Sequence, residues 1–167
     1  MSAVRVAAGV VAAIALLGVA CSTPQPDARF LATPPDSATF PAETLVQQCG
    51  TLDCHGTAFR NMQLYGAWGR RLSLGDLPLR PKTTTAAELA EDYGSVVGLE
   101  PEVMSAVAAD KGASPERLSI IRKARGQDNH KGGTLSHQGD DLDVCMTSWL
   151  AGATDMAACG RVTVVIP

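Results

Sequence analysis

The sequence predicts one all-α domain with long connecting loops, and three observations carry that prediction. Thr85 and Glu88 form a capping box ahead of residues at helical spacing. Pro101 and Pro115 stand where proline suits the first turn of a helix. Leu142, Cys145, Met146, Trp149 and Leu150 fall at i, i+3, i+4, i+7 and i+8, an apolar stripe of the helical period. The tail, Val162 to Ile166, leaves room for one short C-terminal edge strand.

From the first residue, Arg5 precedes an apolar run, Val6 to Val19, that is too short to span a bilayer and ends in small residues. Residues 1–20 therefore read as an export signal. Leu17-Gly18-Val19-Ala20-Cys21 resembles a bacterial lipobox, which implies cleavage before Cys21 and lipid on that cysteine. Gly18 departs from the usual leucine and keeps ordinary signal cleavage, giving a soluble periplasmic protein, as the alternative. Ser22 carries no charge that would retain a lipoprotein at the inner membrane, so the same resemblance favours the outer membrane. Residues 21–41 contain half of the ten prolines and little apolar periodicity, which predicts an extended tether with little fixed structure. The domain proper is then residues 42–167, enough for one core and too few for two.

Within it, Pro41 opens a short helix with Leu45, Val46 and Cys49 on one face. From Gly56 to Lys82, Leu64, Tyr65, Trp68, Leu72 and Leu74 are scattered among Gly, Pro and Arg without a sustained period, so a packed loop is expected. The helix behind Thr85 presents Ala86, Leu89, Ala90, Tyr93 and Val97. Pro101 opens another through about Asp110. Ser114-Pro115 opens a third, with Leu118 and Ile121 inward, that Gly126 ends. Asp140 caps the last helix. There is no internal repeat.

A formal net charge of −3 does not predict nucleic-acid binding. Export implies that free thiols are oxidised, lipidated, metal-bound or otherwise capped, so each of the five cysteines requires an assignment. The informative segment is Cys49-Gly50-Thr51-Leu52-Asp53-Cys54-His55-Gly56. Covalent attachment of haem c needs two thiols to add across the vinyl groups and an adjacent imidazole to bind the iron. Four residues stand between these cysteines where two are usual. A Cys49–Cys54 disulfide is the competing reading. A zinc site is another, for which His130, His137 or a distant cysteine would have to complete four ligands.

The second informative segment is LSIIRKARGQDNHKGG, Leu118 to Gly133. Cys-x4-Cys-His-Gly, then an apolar stretch, a basic residue, alanine and glycine, then histidine with glycines, and last a tryptophan-bearing helix, together resemble the cytochrome c-like domains common in planctomycete proteins. The match runs from about Leu45 to Leu150, with Lys131 replacing the first glycine of the family's His-Gly-Gly-Gly. The resemblance implies a cytochrome c-like fold with one haem c, held by Cys49, Cys54 and His55, with His130 as distal ligand. Gly132 and Gly133 would let the backbone approach the macrocycle.

His137 is the competing histidine, and its position between Ser136 and Gln138 favours a polar loop residue instead. Met104 is the weaker distal alternative; Met62 lies too near the motif, and Met146 and Met156 lie on or after the last helix. Cys145 and Cys159 remain for a disulfide. Arg122, Lys123, Arg125 and Lys131 would meet haem propionates, dock an acidic redox partner or form a solvated face. The expectation is a lipid-anchored electron carrier rather than an enzyme, with a redox partner the sequence does not name. The alternative is a haem-free, disulfide-bonded surface lipoprotein with a binding or structural role. A five-coordinate haem sensor or peroxidase-like site follows if His130 does not ligate.

Overall fold

The computed structural model describes residues 34–73 and 83–162. The export signal, Cys21, most of the tether and the tail after Val162 lie outside the described residues. Within them the fold is all-helical. The order is α1 (Ala42–Cys49), α2 (Ala86–Val97), α3 (Pro101–Ala109), α4 (Ser119–Ala124), α5 (Asp141–Leu150) and α6 (Met156–Arg161), with 3-10 turns at Ser37–Thr39 and Pro115–Arg117. The one bridge among the described residues pairs Tyr65 with Arg70. No described helix is long and apolar enough to cross a membrane.

Helix starts follow local chemistry. The Thr85 hydroxyl accepts from the Glu88 amide while the Glu88 carboxylate accepts from Thr85 N–H, a complete capping box. Asp140 accepts from Asp143 N–H at the head of α5, and Pro101 occupies the first turn of α3. A single core joins Leu45 and Val46 of α1, Val96 and Val97 of α2, Met104 and Val107 of α3, Ile121 of α4 and Trp149 of α5 to Met62 and Leu64 from the long loop.

Four features differ from the sequence reading. The inward face of α2 is Glu88, Asp92, Val96 and Val97, not the stripe through Ala86 and Ala90, which are exposed. The polar pair is buried because it feeds the loop before it: Ser95 Oγ accepts from Gln63 N–H (2.8 Å), Asp92 from Tyr65 N–H (2.7 Å) and Glu88 from Leu72 N–H (3.1 Å). Loop amides that cannot reach another strand are satisfied by these side chains instead. The helix expected from Pro115 to Gly126 is broken at Leu118, whose extended backbone separates the 3-10 turn from α4. Helix α6, capped by Asp155, was not foreseen, and it is tied to α5 by the Cys145–Cys159 disulfide.

The fourth difference concerns residues 34–41, expected in the tether. They are packed on the domain: Pro35 O accepts from Tyr93 O–H, Asp36 O from Trp149 Nε1–H and Thr39 O from the Thr154 hydroxyl, each at 2.8 Å. Phe40 meets Tyr93 edge-on and tilts against Trp149, with centroids 5.7 and 5.0 Å apart. Buried Trp149 and half-buried Tyr93 carry polar tips that need partners, and this segment supplies them.

Candidate functional site

Helix α1 ends at Cys49, and the chain turns at once. His55 N–H donates to Cys49 O (2.8 Å), while Cys54 and Gly56 N–H both donate to Thr51 O. The four residues between the cysteines are thus taken up as a turn that pushes Leu52 and Asp53 into solvent. Glycines permit the closure, because a Cβ at Gly56 or Gly69 would strike the Gly50 carbonyl, at 1.9 and 1.8 Å. Cys49 and Cys54 are both free thiols. Burial, then the nearby Cys54, pushes the Cys49 thiol up to about 12, so it stays protonated at neutral pH.

The second histidine arrives from the opposite side. The 126–139 loop between α4 and α5 is closed at its base by Arg125 and Asp143, a buried two-pronged ion pair at 2.8 and 3.1 Å. Leu135 and Ser136 N–H both donate to Ala124 O, Gly139 N–H donates to Asp143, and Lys123 Nζ donates to Asn129 O. His130 sits at the end of this loop. Its ring faces that of His55, with centroids 6.1 Å apart and planes 17° from parallel. A Cβ on Gly132 would come within 2.9 Å of the His130 ring, and Gly133 has φ +71°. The glycines after His130 therefore serve the imidazole itself, which lies against their backbone.

Each imidazole is oriented by a main-chain carbonyl, His55 Nδ1 by Met62 O at 3.0 Å and His130 Nδ1 by Gly133 O at 3.2 Å. A carbonyl only accepts, so Nδ1 carries the hydrogen and the lone pair remains on Nε2 of both rings. Burial holds His55 below its ordinary value, and His130, Arg60 and Lys123 act the same way against the Met62 bond. His55 is neutral at pH 7, the form that binds a metal.

Both rings and Cys49 line one cavity of about 520 Å³. Its walls include Leu45, Met62, Leu99, Ile120, Leu135 and Met146, with Arg60 and Lys123 among the polar groups. Comparison with protein-family models, with curated proteins and with solved structures finds no match to this chain. The site's chemistry is therefore read from its own residues.

The His55 and His130 centroids lie 6.1 Å apart, which leaves room for one metal atom with two imidazole bonds of about 2 Å once Nε2 of each ring is turned toward it. Among the described residues no group of three or more His, Cys, Asp or Glu is arranged to hold a metal ion. Cys49, Cys54, His55 and a further histidine are thus not gathered as a tetrahedral zinc set among the described residues. The cavity falls within the about 300–1,000 Å³ usual for cofactor sites, and its mainly aliphatic walls suit a flat apolar group.

Met104 is placed elsewhere, buried in the core on α3 and absent from the cavity lining. His137 is exposed, and its backbone N–H donates to Asp140 at the head of α5. Of the basic cluster, Arg125 is spent on Asp143 and Arg122 on Asp128, while Lys123 lines the cavity and Lys131 is exposed. Met62 and Met146, set aside on sequence grounds, both line the cavity. The helical stripe on α5 is the signal for Met146; nothing local marks Met62.

Proposed function

We propose that this chain is an exported, lipid-anchored c-type cytochrome that carries electrons through one covalently bound haem. The observation that carries the reading is the pairing of His55 and His130 across an apolar cavity, each with Nδ1 held by a carbonyl and Nε2 left for iron. Cys49 and Cys54 are the thiols for thioether attachment, with Cys49 already in the cavity wall. His55 and His130 would hold the iron, and Arg60 and Lys123, the cations in the cavity lining, would meet the propionates. Bound haem supplies a reversible one-electron couple at iron. With His55 and His130 both bound to the iron, no coordination position would remain for a substrate, which favours transfer over catalysis. With haem bound, the aliphatic part of the lining would limit the reorganisation that accompanies a change of charge. Cys21 would hold the domain to the membrane, in the outer membrane by the lipobox resemblance, facing the periplasm and an unidentified redox partner.

The test is an absorption spectrum, oxidised and reduced, of protein produced with its signal and a cytochrome c maturation system, followed by denaturation. Sharp reduced bands that stay with the denatured chain are expected. A colourless protein with Cys49 bonded to Cys54 would leave the haem-free lipoprotein reading. Carbon monoxide binding to the reduced protein would remove His130 as a ligand and point to a five-coordinate site.

A further inference from the structure

The segment Met62–Tyr65 touches His55 twice and α2 twice. Met62 O accepts from His55 Nδ1 (3.0 Å) and Leu64 N–H donates to His55 O (2.9 Å). On its other side Gln63 N–H donates to Ser95 and Tyr65 N–H to Asp92 Oδ1. Ser95 is a neutral rung. Asp92 is not, and its state bears on everything attached to the segment.

Asp92 is fully buried, and its second oxygen, Oδ2, has no hydrogen-bond partner. The charged groups that act on it are Glu43 from α1 and Glu88 and Glu91 from its own helix, and Glu88 is itself paired with the loop's Arg71. A carboxylate so placed leaves one oxygen without a donor among acidic neighbours. Burial, followed by Glu88, Glu43 and Glu91, raises Asp92 to about 7 in spite of the Tyr65 amide. The lone Oδ2 is where a proton is held.

On the haem reading, on which this inference rests, we propose that Asp92 is a proton-linked positioning residue for His55. Its gain or loss of a proton acts through Tyr65 and the Met62 carbonyl on the donor strength of the proximal imidazole. A carbonyl that accepts from a metal-bound histidine tunes the ligand's basicity, and shifts along a short rigid segment reach it directly. In the coupled step, an external one-electron donor supplies one electron to the iron and solvent supplies one proton to Asp92 Oδ2. Only the O–H bond forms, and reoxidation returns both. Because a negative Asp92 favours the oxidised state, the reduction potential falls as pH rises through neutrality.

Two measurements test this. In ¹⁵N-labelled protein the Tyr65 amide resonance should titrate with a midpoint near neutrality, and Asp92→Asn, which keeps an acceptor for that amide, should abolish the titration. In the haem-loaded protein the midpoint potential should fall across the same range, while Asp92→Asn holds it flat at the wild-type acid-side value. Ser95→Ala, which removes the neighbouring rung without removing a titrating group, should keep the pH dependence. A Tyr65 amide that does not titrate in the wild type overturns the proposal, whether or not the asparagine variant folds. So does a pH dependence of the potential that survives Asp92→Asn. A protein that takes up no haem fails at the functional reading and is recognised by its lack of colour; a coloured protein with a pH-flat potential fails here alone.

Discussion

The loops that carry the two histidines are held by opposite means. The His55 side is held along its length: glycine packing closes the cysteine turn, and Ser95, Asp92 and Glu88 of α2 each take a backbone amide from the loop that follows. The His130 side has its buried anchor at its base, in Arg125 with Asp143 and in Ala124 O, while the contacts nearer the histidine, Arg122 with Asp128 and Lys123 with Asn129 O, are more exposed. His130 itself lies among exposed residues, with Lys131 to Thr134 all open to solvent. A ligand held at many points resists local opening, whereas one held at the neck of its loop depends on that neck.

The sharpest way to break this contrast is to cut each ion pair. Arg125→Ala leaves Asp143 buried without its partner and should destabilise the fold by about 3–5 kcal/mol, read by urea unfolding. On the proposed haem reading it should also release His130, seen as carbon monoxide binding by the reduced protein. Arg71→Ala strands the fully buried Glu88 and should cost a similar amount. Here the His55–His130 ligation should persist in whatever fraction is folded. Equal loss of ligation in both variants would end the distinction between neck and length.

Removing the Cys145–Cys159 bond by a double serine substitution comes next. Its sequence separation of 14 sets a loop whose closure stabilises by about 3 kcal/mol. The thermal midpoint should drop while the oxidised and reduced spectra stay unchanged, because neither cysteine lines the cavity.

The acid response sharpens the α2 side. Burial works against ionised Glu88, but the Thr85 and Leu72 amides and Arg71 outweigh it and hold the carboxyl below its ordinary value. Its stabilisation is present above the unfolded-state value of about 4.5 and is lost as pH falls through the lower folded value. Asp92 runs the other way, favouring the fold below its unfolded value and losing that contribution as pH rises to about 7. Asp92→Asn should therefore flatten the decline between these limits in a melting-temperature profile and leave the acid limb, which belongs to Glu88, in place. The smallest effect is expected from Thr85→Ala, a loss of about 1 kcal/mol from the cap of α2, measured by thermal melting with no change at His130.

Signals that act within a few residues were legible in the sequence. Thr85 with Glu88, Pro101 and Asp140 mark helix starts where the structure has them, and the stripe on α5 delivers Trp149 and Met146 to the interior. The inward face of α2 was misread because buried Glu88 and Asp92 look like a solvent-facing pair until the loop amides they bind are known. Helix α6 has an aspartate cap at Asp155 but too little apolar periodicity in Met156–Arg161 to announce itself. At the site, His55 stands out by its place after the second cysteine and His130 by the family resemblance. Their mutual distance, the two carbonyls that orient them and the place of Met62 in the wall depend on tertiary contacts that no local pattern encodes.

The bonds from residues 35–39 to the far side of the domain have a consequence for the order of assembly. Asp36 and Trp149 are separated by 113 residues, and Thr39 and Thr154 by 115. Contacts of such span form only after the intervening chain has been made and brought back on itself, and loop-closure entropy delays them further. Trp149, at the centre of the core, acquires its indole partner only when the beginning and end of the domain meet. Completion of this core is a late, non-local event, and a chain stopped short of Thr154 can bury its helices without yet being able to lock them.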